Sequence, residues 1–245
     1  GEEIENILKM VKIIYKDKFN FEYSLELSTR PEKFMGEKKD WDDAEKILEE
    51  QLKKSKVKYK ISKGAGAFYG PKIDIQIKDS LNRLWQCATI QLDMQMPKRF
   101  EITYVDKDNK EKTPFVIHRA IFGSIERFVG VLLEHLNGNL PLWLSPVQAR
   151  IINFTDRNIK SSEKIIKALQ KEIPILRIDS DFRNTTVNDK VRDAEMTRIN
   201  YIIVIGDKEE KANTHAVRVR GKKPQFGIKI DKFASDVREE IDKRA

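Results

Sequence analysis

Arg127 is the residue of this chain that most needs a chemical explanation. It falls within Phe115 to Leu136, FVIHRAIFGSIERFVGVLLEHL. Phe115 to Ile117 reads as a short apolar strand, after which the chain crosses His118 and Arg119 and turns at Gly123-Ser124. Ile125, Phe128, Val129, Leu132, Leu133 and Leu136 then recur at helical spacing and predict a single buried face, with Ser124 as the N-cap. Arg127 lies in the first turn of that helix, off the apolar stripe. The positive end of the helix dipole opposes a cation there. A bound anion would reverse the penalty and also meet free backbone N–H groups. Two readings stand side by side, a solvated surface arginine and a phosphate clamp.

A second group of residues could form the floor on which such an anion rests. Gly64, Gly66 and Gly70 make a loop whose backbone can approach a ligand closely. Ile73, Ile75 and Ile77 alternate with Asp74 and Gln76 as a half-buried strand, and a turn around Asn82 returns the chain as LWQCATIQLDM. Alternation places Leu84, Ala88, Ile90 and Leu92 on one face and Trp85, Cys87, Thr89, Gln91 and Asp93 on the other. A row of hydroxyl and amide groups can hydrogen-bond a small polar ligand; the competing reading is a solvent-facing strand side. His118 is a lone histidine, a type more often structural than metal-ligating. No Cys or second His lies at ligand spacing, so these residues do not build a metal site by themselves.

These side chains need a scaffold, and 245 residues allow two modest domains. No apolar run approaches membrane-spanning length. The single Cys87 excludes an internal disulfide and fits a reducing, cytoplasmic setting. The start at Gly1 reads as a processed or excised chain. Residues 2–18 form an amphipathic helix, Phe21 to Leu27 a strand, and Asp40 caps a helix bearing Trp41, Ala44, Ile47, Leu48 and Leu52. LNGNLPLWLSPVQ, Leu136 to Gln148, marks a boundary, giving domains at 1–145 and 146–245. Residues 146–245 carry 22 Lys+Arg against 16 Asp+Glu, which makes a polyanion such as nucleic acid the first candidate partner. Ordinary solubilising charge is the other reading.

Beyond the boundary, strands at Ala149 to Phe154, Ile175 to Ile178 and Tyr201 to Ile205 alternate with helices at Ser162 to Lys171 and Thr186 to Met196. That order predicts an α/β domain with a mainly parallel sheet and right-handed crossovers. Strands at His215 to Arg220 and Gly227 to Ile230 and a helix at Lys232 to Asp242 complete it.

GAFYGPK, WQCATIQLD and IHRAIFGSIERF, in this order and spacing, resemble the later part of the catalytic domain of threonyl-tRNA synthetases. The likeness extends upstream through LSTRPEKF and onward through the C-terminal domain. It implies a partial α+β catalytic domain with an antiparallel sheet, followed by the anticodon-binding domain shared by the class II enzymes for threonine, proline, glycine and histidine. IHRAIFGSIERF is similar to the third class II signature motif, in which the helix-borne Arg, here Arg127, contacts the phosphates of ATP, used with Mg2+. The resemblance makes His118 one of three ligands of a Zn2+ that holds the amino group and hydroxyl of threonine. It puts Tyr69, Thr89 and Gln91 in the threonine and adenylate pocket, Gln86 near the adenine and Ser124 beside the substrate. A site built to bind a hydroxyl rejects the isostere lacking it far better than an apolar pocket does. Asn184, Arg198, Glu209 and Arg218 match positions that contact anticodon bases of tRNA(Thr), while a family Lys position is Thr186 here.

The first two class II motifs and two of the zinc ligands precede this region in the family and are not in this sequence. The expectation is therefore a threonine–tRNA ligase segment, inactive alone and homodimeric when full-length. A tRNA-binding half or accessory subunit that works with a separate N-terminal chain is the alternative. A synthetase for another amino acid of the subclass fits the WQCATIQLD and IHRAIFGSIERF strings less well.

Overall fold

The computed structural model describes residues 1–244. It divides into two compact units, one of residues 1–135 and one from Leu136 onward.

The first unit opens with helix α1, Glu2–Lys12, whose Ile4, Ile7, Leu8 and Val11 are buried as their spacing predicts. The helix widens into a π-helical stretch over Ile13–Lys18 that buries Tyr15. Strand β1 (Tyr23–Ser28) follows, then α2 (Lys38–Ser55), β2 (Tyr59–Ser62), β3 (Lys72–Lys78) and β4 (Leu84–Asp93). After the short α3 (Met96–Arg99) and a hairpin of β5 (Tyr104–Val105) and β6 (Glu111–Lys112) come β7 (Val116–Ala120) and α4 (Ile125–His135). The main sheet has the order β2-β1-β3-β4-β7. Only the β1–β2 pairing is parallel; β1–β3, β3–β4 and β4–β7 are antiparallel.

Asp40 does not cap α2: the N-cap is Glu37, and Asp40 sits in the first turn, where its charge suits the dipole. His118 and Arg119 lie inside β7 rather than beyond it, because β4 offers paired backbone as far as Thr89↔Ala120. On α4 only Phe128, Val131 and Leu132 are buried. Ile125, Val129 and Leu133 are exposed and form a second apolar stripe facing outward. The helix is apolar on both sides, so periodicity alone could not choose between them. β7 is an edge strand of the sheet.

The β3–β4 turn is built around Asp79, a buried carboxylate. It accepts from the amides of Leu81 and Arg83, the Arg83 guanidinium and the Trp85 indole N–H, while Asn82 supplies a positive φ of 62° at the tip. Burial alone would raise its pKa, but these hydrogen bonds outweigh it and lower the value to about 2. An unfolded Asp titrates near about 4, so the folded state binds fewer protons. Its contribution to stability is complete above the unfolded pKa and is lost as pH falls towards the folded one. Asp79→Asn is expected to flatten the fall in melting temperature between about pH 5 and about pH 2, measured by circular dichroism against the parent chain.

In the second unit a single 3-10 turn, Leu142–Leu144, leads to β8 (Ala149–Asn153) and a further 3-10 turn, Asp156–Asn158. Then come α5 (Ile159–Glu172), β9 (Ile178–Asp181), α6 (Val187–Met196), β10 (Tyr201–Ile205) and α7 (Asp207–Ala212). β11 (His215–Val219), β12 (Gln225–Ile228) and α8 (Ile230–Lys243) end the unit. The sheet order is β12-β11-β10-β8-β9. β9, β8 and β10 are parallel, while β11 and β12 add as an antiparallel edge. Helices cover both faces. Ile151, Ile203, Ile205 and Val217 pack with Leu169 of α5 and Phe233, Val237 and Ile241 of α8. On the other face Ile152 and Ile202 pack with Ala194 of α6. That is why YIIVI is continuously apolar. The strand expected at Ile175 to Ile178 instead begins at Ile178, and α7 replaces an expected turn after Gly206. No helix of the described residues is long and apolar enough to cross a membrane.

Candidate functional site

The polar floor of the first unit is organised by a carboxylate that alternation assigns to solvent. Asp74, on β3, is only 4% exposed. One oxygen accepts from Ser28 Oγ at 2.8 Å and pairs with Lys72 Nζ at 2.8 Å. The other accepts from Thr89 Oγ1 at 3.0 Å and from the Gln86 amide, which also donates to Thr89 Oγ1 at 3.0 Å. Strict alternation would put Gln86 on the face opposite Thr89. The β3–β4 ladder slips between Ile75 and Gln76, pairing Ala88 with Ile75 but Gln86 with Gln76. Such a bulge inserts one residue and re-aims its neighbours. Gln86 thereby joins Thr89, Cys87 is buried, and Leu84, expected on the apolar face, is exposed.

At one end of the floor stands Arg127. Ser124 Oγ accepts from the Arg127 amide at 3.4 Å, as expected of the residue heading the helix, and itself donates to Glu126 Oε2 at 2.8 Å. The Arg127 side chain is exposed but held: its guanidinium carbon lies 5.6 Å from the Trp85 ring centroid and Nη1 donates to the Gln86 carbonyl at 3.4 Å. Trp85 is anchored by Asp79, so the turn that fixes one fixes the other. Gly123 allows the helix start to sit on β4, for a Cβ there would meet the Cys87 carbonyl oxygen at 2.7 Å. The guanidinium is thus held at the Trp85 end of β4, exposed to solvent, where its other N–H groups can donate to a phosphate.

At the other end are Tyr69, Gln91 and His118. The Tyr69 hydroxyl donates to Gln91 Oε1 at 2.8 Å, and its ring meets that of His118 edge-on at 6.3 Å between centroids. Gln91 is paired with His118 across the β4–β7 ladder. His118 Nε2 lies 2.9 Å from Asp93 Oδ2, whose side chain is wholly buried. Burial pushes the Asp93 carboxyl up, but the Met96 amide, the imidazole and the Gln95 amide outweigh it and hold it below its usual value. A carboxylate beside a ring nitrogen fixes the ring's orientation. Zinc finds only this one histidine: among the described residues no three His, Cys, Asp or Glu side chains cluster to hold a metal ion. The residues present do not make a zinc site.

The four positions matched to anticodon contacts are only partly gathered. Glu209 and Arg218 line one cavity at the carboxyl ends of β8 and β10. Arg218 donates to Glu195 Oε1 at 2.7 Å. Arg198 lies just past α6 at a positive φ of 60°, and Arg220 donates to its carbonyl at 3.0 Å. Asn184 is exposed in the loop before α6. Thr186, at a family lysine position, caps α6 by accepting from the Asp189 amide. The sequence reading missed Asp74 and the Trp85 support. Asp74 had no signal, since it sits between isoleucines; Trp85, on a strand well past the Gly70-Pro71 loop, had none either.

Residues 1–136 match the tRNA synthetase class II core domain (G, H, P, S and T), and residues 148–240 match an anticodon binding domain. The chain belongs to the class II aminoacyl-tRNA synthetases. The threonine–tRNA ligase of Sulfurihydrogenibium sp. (strain YO3AOP1) is 46% identical over 241 residues, which is 98% of this chain and 37% of that protein. That of Desulfatibacillum aliphaticivorans is 47% identical over 243 residues, 99% of this chain and 38% of the relative. This synthetase chain therefore spans a little over a third of the length of those curated relatives. The crystal structure of the RNA binding domain of threonyl-tRNA synthetase from Cryptosporidium parvum Iowa II superposes with a TM-score of 0.89 at 34% identity, covering 98% of this chain and 60% of that one. A putative threonyl-tRNA synthetase from Aeropyrum pernix shares the fold, with a TM-score of 0.76 at 24% identity, covering 99% of this chain and 60% of its own.

Gly70 places Tyr69 against the floor: a Cβ at position 70 would lie 1.7 Å from the Leu92 carbonyl oxygen. Gly70→Ala is expected to lower stability by at least about 1–3 kcal/mol, the usual cost of overpacking, as read from urea unfolding.

Proposed function

We propose that the chain is the part of a threonine–tRNA ligase that carries the ATP-phosphate clamp, much of the threonine pocket and the anticodon-binding domain. The observation that supports this most directly is the placing of Arg127, Gln86, Thr89, Gln91, Tyr69 and His118 along one sheet, with Asp74 orienting the middle of the row. In the reaction a carboxylate oxygen of threonine attacks the α-phosphorus of ATP and pyrophosphate leaves. A hydroxyl of the terminal tRNA ribose then attacks the acyl carbon and AMP leaves. Both steps need in-line geometry and stabilisation of negative charge more than a protein nucleophile. Arg127 neutralises phosphate charge, Gln86 addresses the adenine, and Tyr69, Thr89 and Gln91 hydrogen-bond the amino acid and adenylate. Ser124 stands beside the bound substrate.

The exposed α4 stripe and the open edge of β7 support a working unit larger than these residues. Threonine activation, the zinc site, ATP with Mg2+, the homodimer and a cytoplasmic setting belong to that whole enzyme, and residues 1–245 alone are inactive in it. An accessory tRNA-binding subunit would have no use for the row of pocket residues.

Arg127→Ala is expected to weaken binding of a non-hydrolysable ATP analogue that keeps all three phosphates by about 1.5–3 kcal/mol, the worth of a charge-assisted hydrogen bond, in titration calorimetry of the complete enzyme. Unchanged affinity would refute the clamp. In the chain itself, Arg218→Ala is expected to cost about 1–3 kcal/mol in binding of tRNA with a threonine anticodon, read by filter binding. The parent affinity should also fall steeply with salt as phosphate contacts release counterions.

A further inference from the structure

The cavity holding Glu209 and Arg218 has features that the reading of base edges does not use. Its volume is about 610 Å3. It opens at the carboxyl ends of β8 and β10. There the crossovers part: β8 leaves for β9 through α5 on one face, and β9 returns to β10 through α6 on the other. Ligands of open α/β sheets bind at such a switch point.

Two phenylalanines line this cavity, Phe154 just after β8 and Phe226 on the edge strand β12. Phe154 is 61% exposed and Phe226 72% exposed, whereas Phe233 of the same unit is 4% exposed. Neither exposed ring belongs to the buried clusters on the two sheet faces. Phe154 is fixed in place, its amide donating to the Ile205 carbonyl at 2.8 Å. Beside it Gly206 leaves the floor bare: a Cβ there would lie 3.4 Å from Phe154 Cβ and 2.9 Å from Glu209 Oε2. Arg157, paired with Asp207 at 3.1 Å, sits at the rim.

Aromatic faces, a carboxylate acceptor and guanidinium donors together fit a flat ring with polar edges carried on a phosphate chain. An apolar peptide side chain would leave Glu209 and Arg218 unused, and a bare anion would leave the rings unused. We propose that Phe154 and Phe226 are stacking platforms for unpaired bases of an RNA loop, while Glu209 and Arg218 address the base edges. The proposal rests on the anticodon-binding reading and adds the source of its sequence-independent affinity. Every base has a π-face, so stacking holds the loop whatever its sequence.

The test uses the full chain and a synthetic anticodon stem-loop of threonine tRNA, with 2-aminopurine placed in turn at each anticodon position. Stacking on a ring quenches this fluorophore. Binding is expected to quench at one position or more. Phe154→Ala and Phe226→Ala should relieve the quench and weaken binding about 5- to 150-fold per stacked base, by a similar factor for loops with altered anticodons. Phe226→Trp should keep both signals, and Phe226→Leu, apolar but without a π-face, should lose them. Both rings face outward, and matching melting curves show that the variants fold. If both alanine variants bind and quench like the parent while Arg218→Ala weakens binding, the platforms are refuted and the anticodon reading stands. If the parent binds no stem-loop, both fall.

Discussion

A carboxylate taken out of water must be satisfied by what surrounds it, and Asp74 turns that requirement into the geometry of the polar floor. Leaving one of its oxygens without partners would cost several kcal/mol, so Ser28, Lys72, Gln86 and Thr89 converge on it from β1, β3 and β4. Polar side chains that would each choose among rotamers in solvent are thereby held in one arrangement before any ligand arrives. Preorganisation of this kind lets hydrogen bonds to a substrate act without a further ordering cost. The same logic recurs at the two ends. Asp79 holds Trp85 under Arg127, and Asp93 holds His118 beside Gln91.

The anticodon-binding unit solves a different problem. Its parallel strands and two-sided helical cover bury most of the aliphatic side chains, and charged and aromatic groups are left at the strand ends and on the antiparallel edge. Arg218 and Arg220 are two residues apart on or just past β11, yet they do different work. Arg218 pairs with Glu195, whereas Arg220 ties the carbonyls of Arg198 and Leu140 together. Arg220 loses charge stabilisation through burial, which lowers its pKa; it is a structural cation, and Arg218 is the one left at the cavity.

Much of this was legible in the sequence because motifs and periodicity pointed the same way. YIIVI is a strand over the residues predicted, Val187–Met196 is a helix capped by Thr186, and Thr89, Gln91 and His118 lie on the paired strands β4 and β7, with Tyr69 bonded to Gln91 from the loop before β3. What could not be read has physical causes. The bulge that brings Gln86 beside Thr89 breaks the period of two without any Gly or Pro to announce it. α4 is apolar on two sides, and only its packing shows that Phe128, Val131 and Leu132 are the inner set. Asp74 matters through Ser28, Gln86 and Thr89, and partners distant in sequence are what a one-dimensional pattern does not contain.

The lone thiol of the chain sits at that bulge. Cys87 is 2% exposed, raised in pKa by burial and roofed by the tight approach of Gly123 to its own carbonyl. A disulfide reagent can reach the buried thiol only when the structure around it opens. Its labelling rate is therefore a clock for the breathing of this sheet, set by an opening equilibrium and not by thiol chemistry alone. A ligand that bridges Arg127 and the sheet must slow that clock, which makes this cysteine a built-in reporter of occupancy.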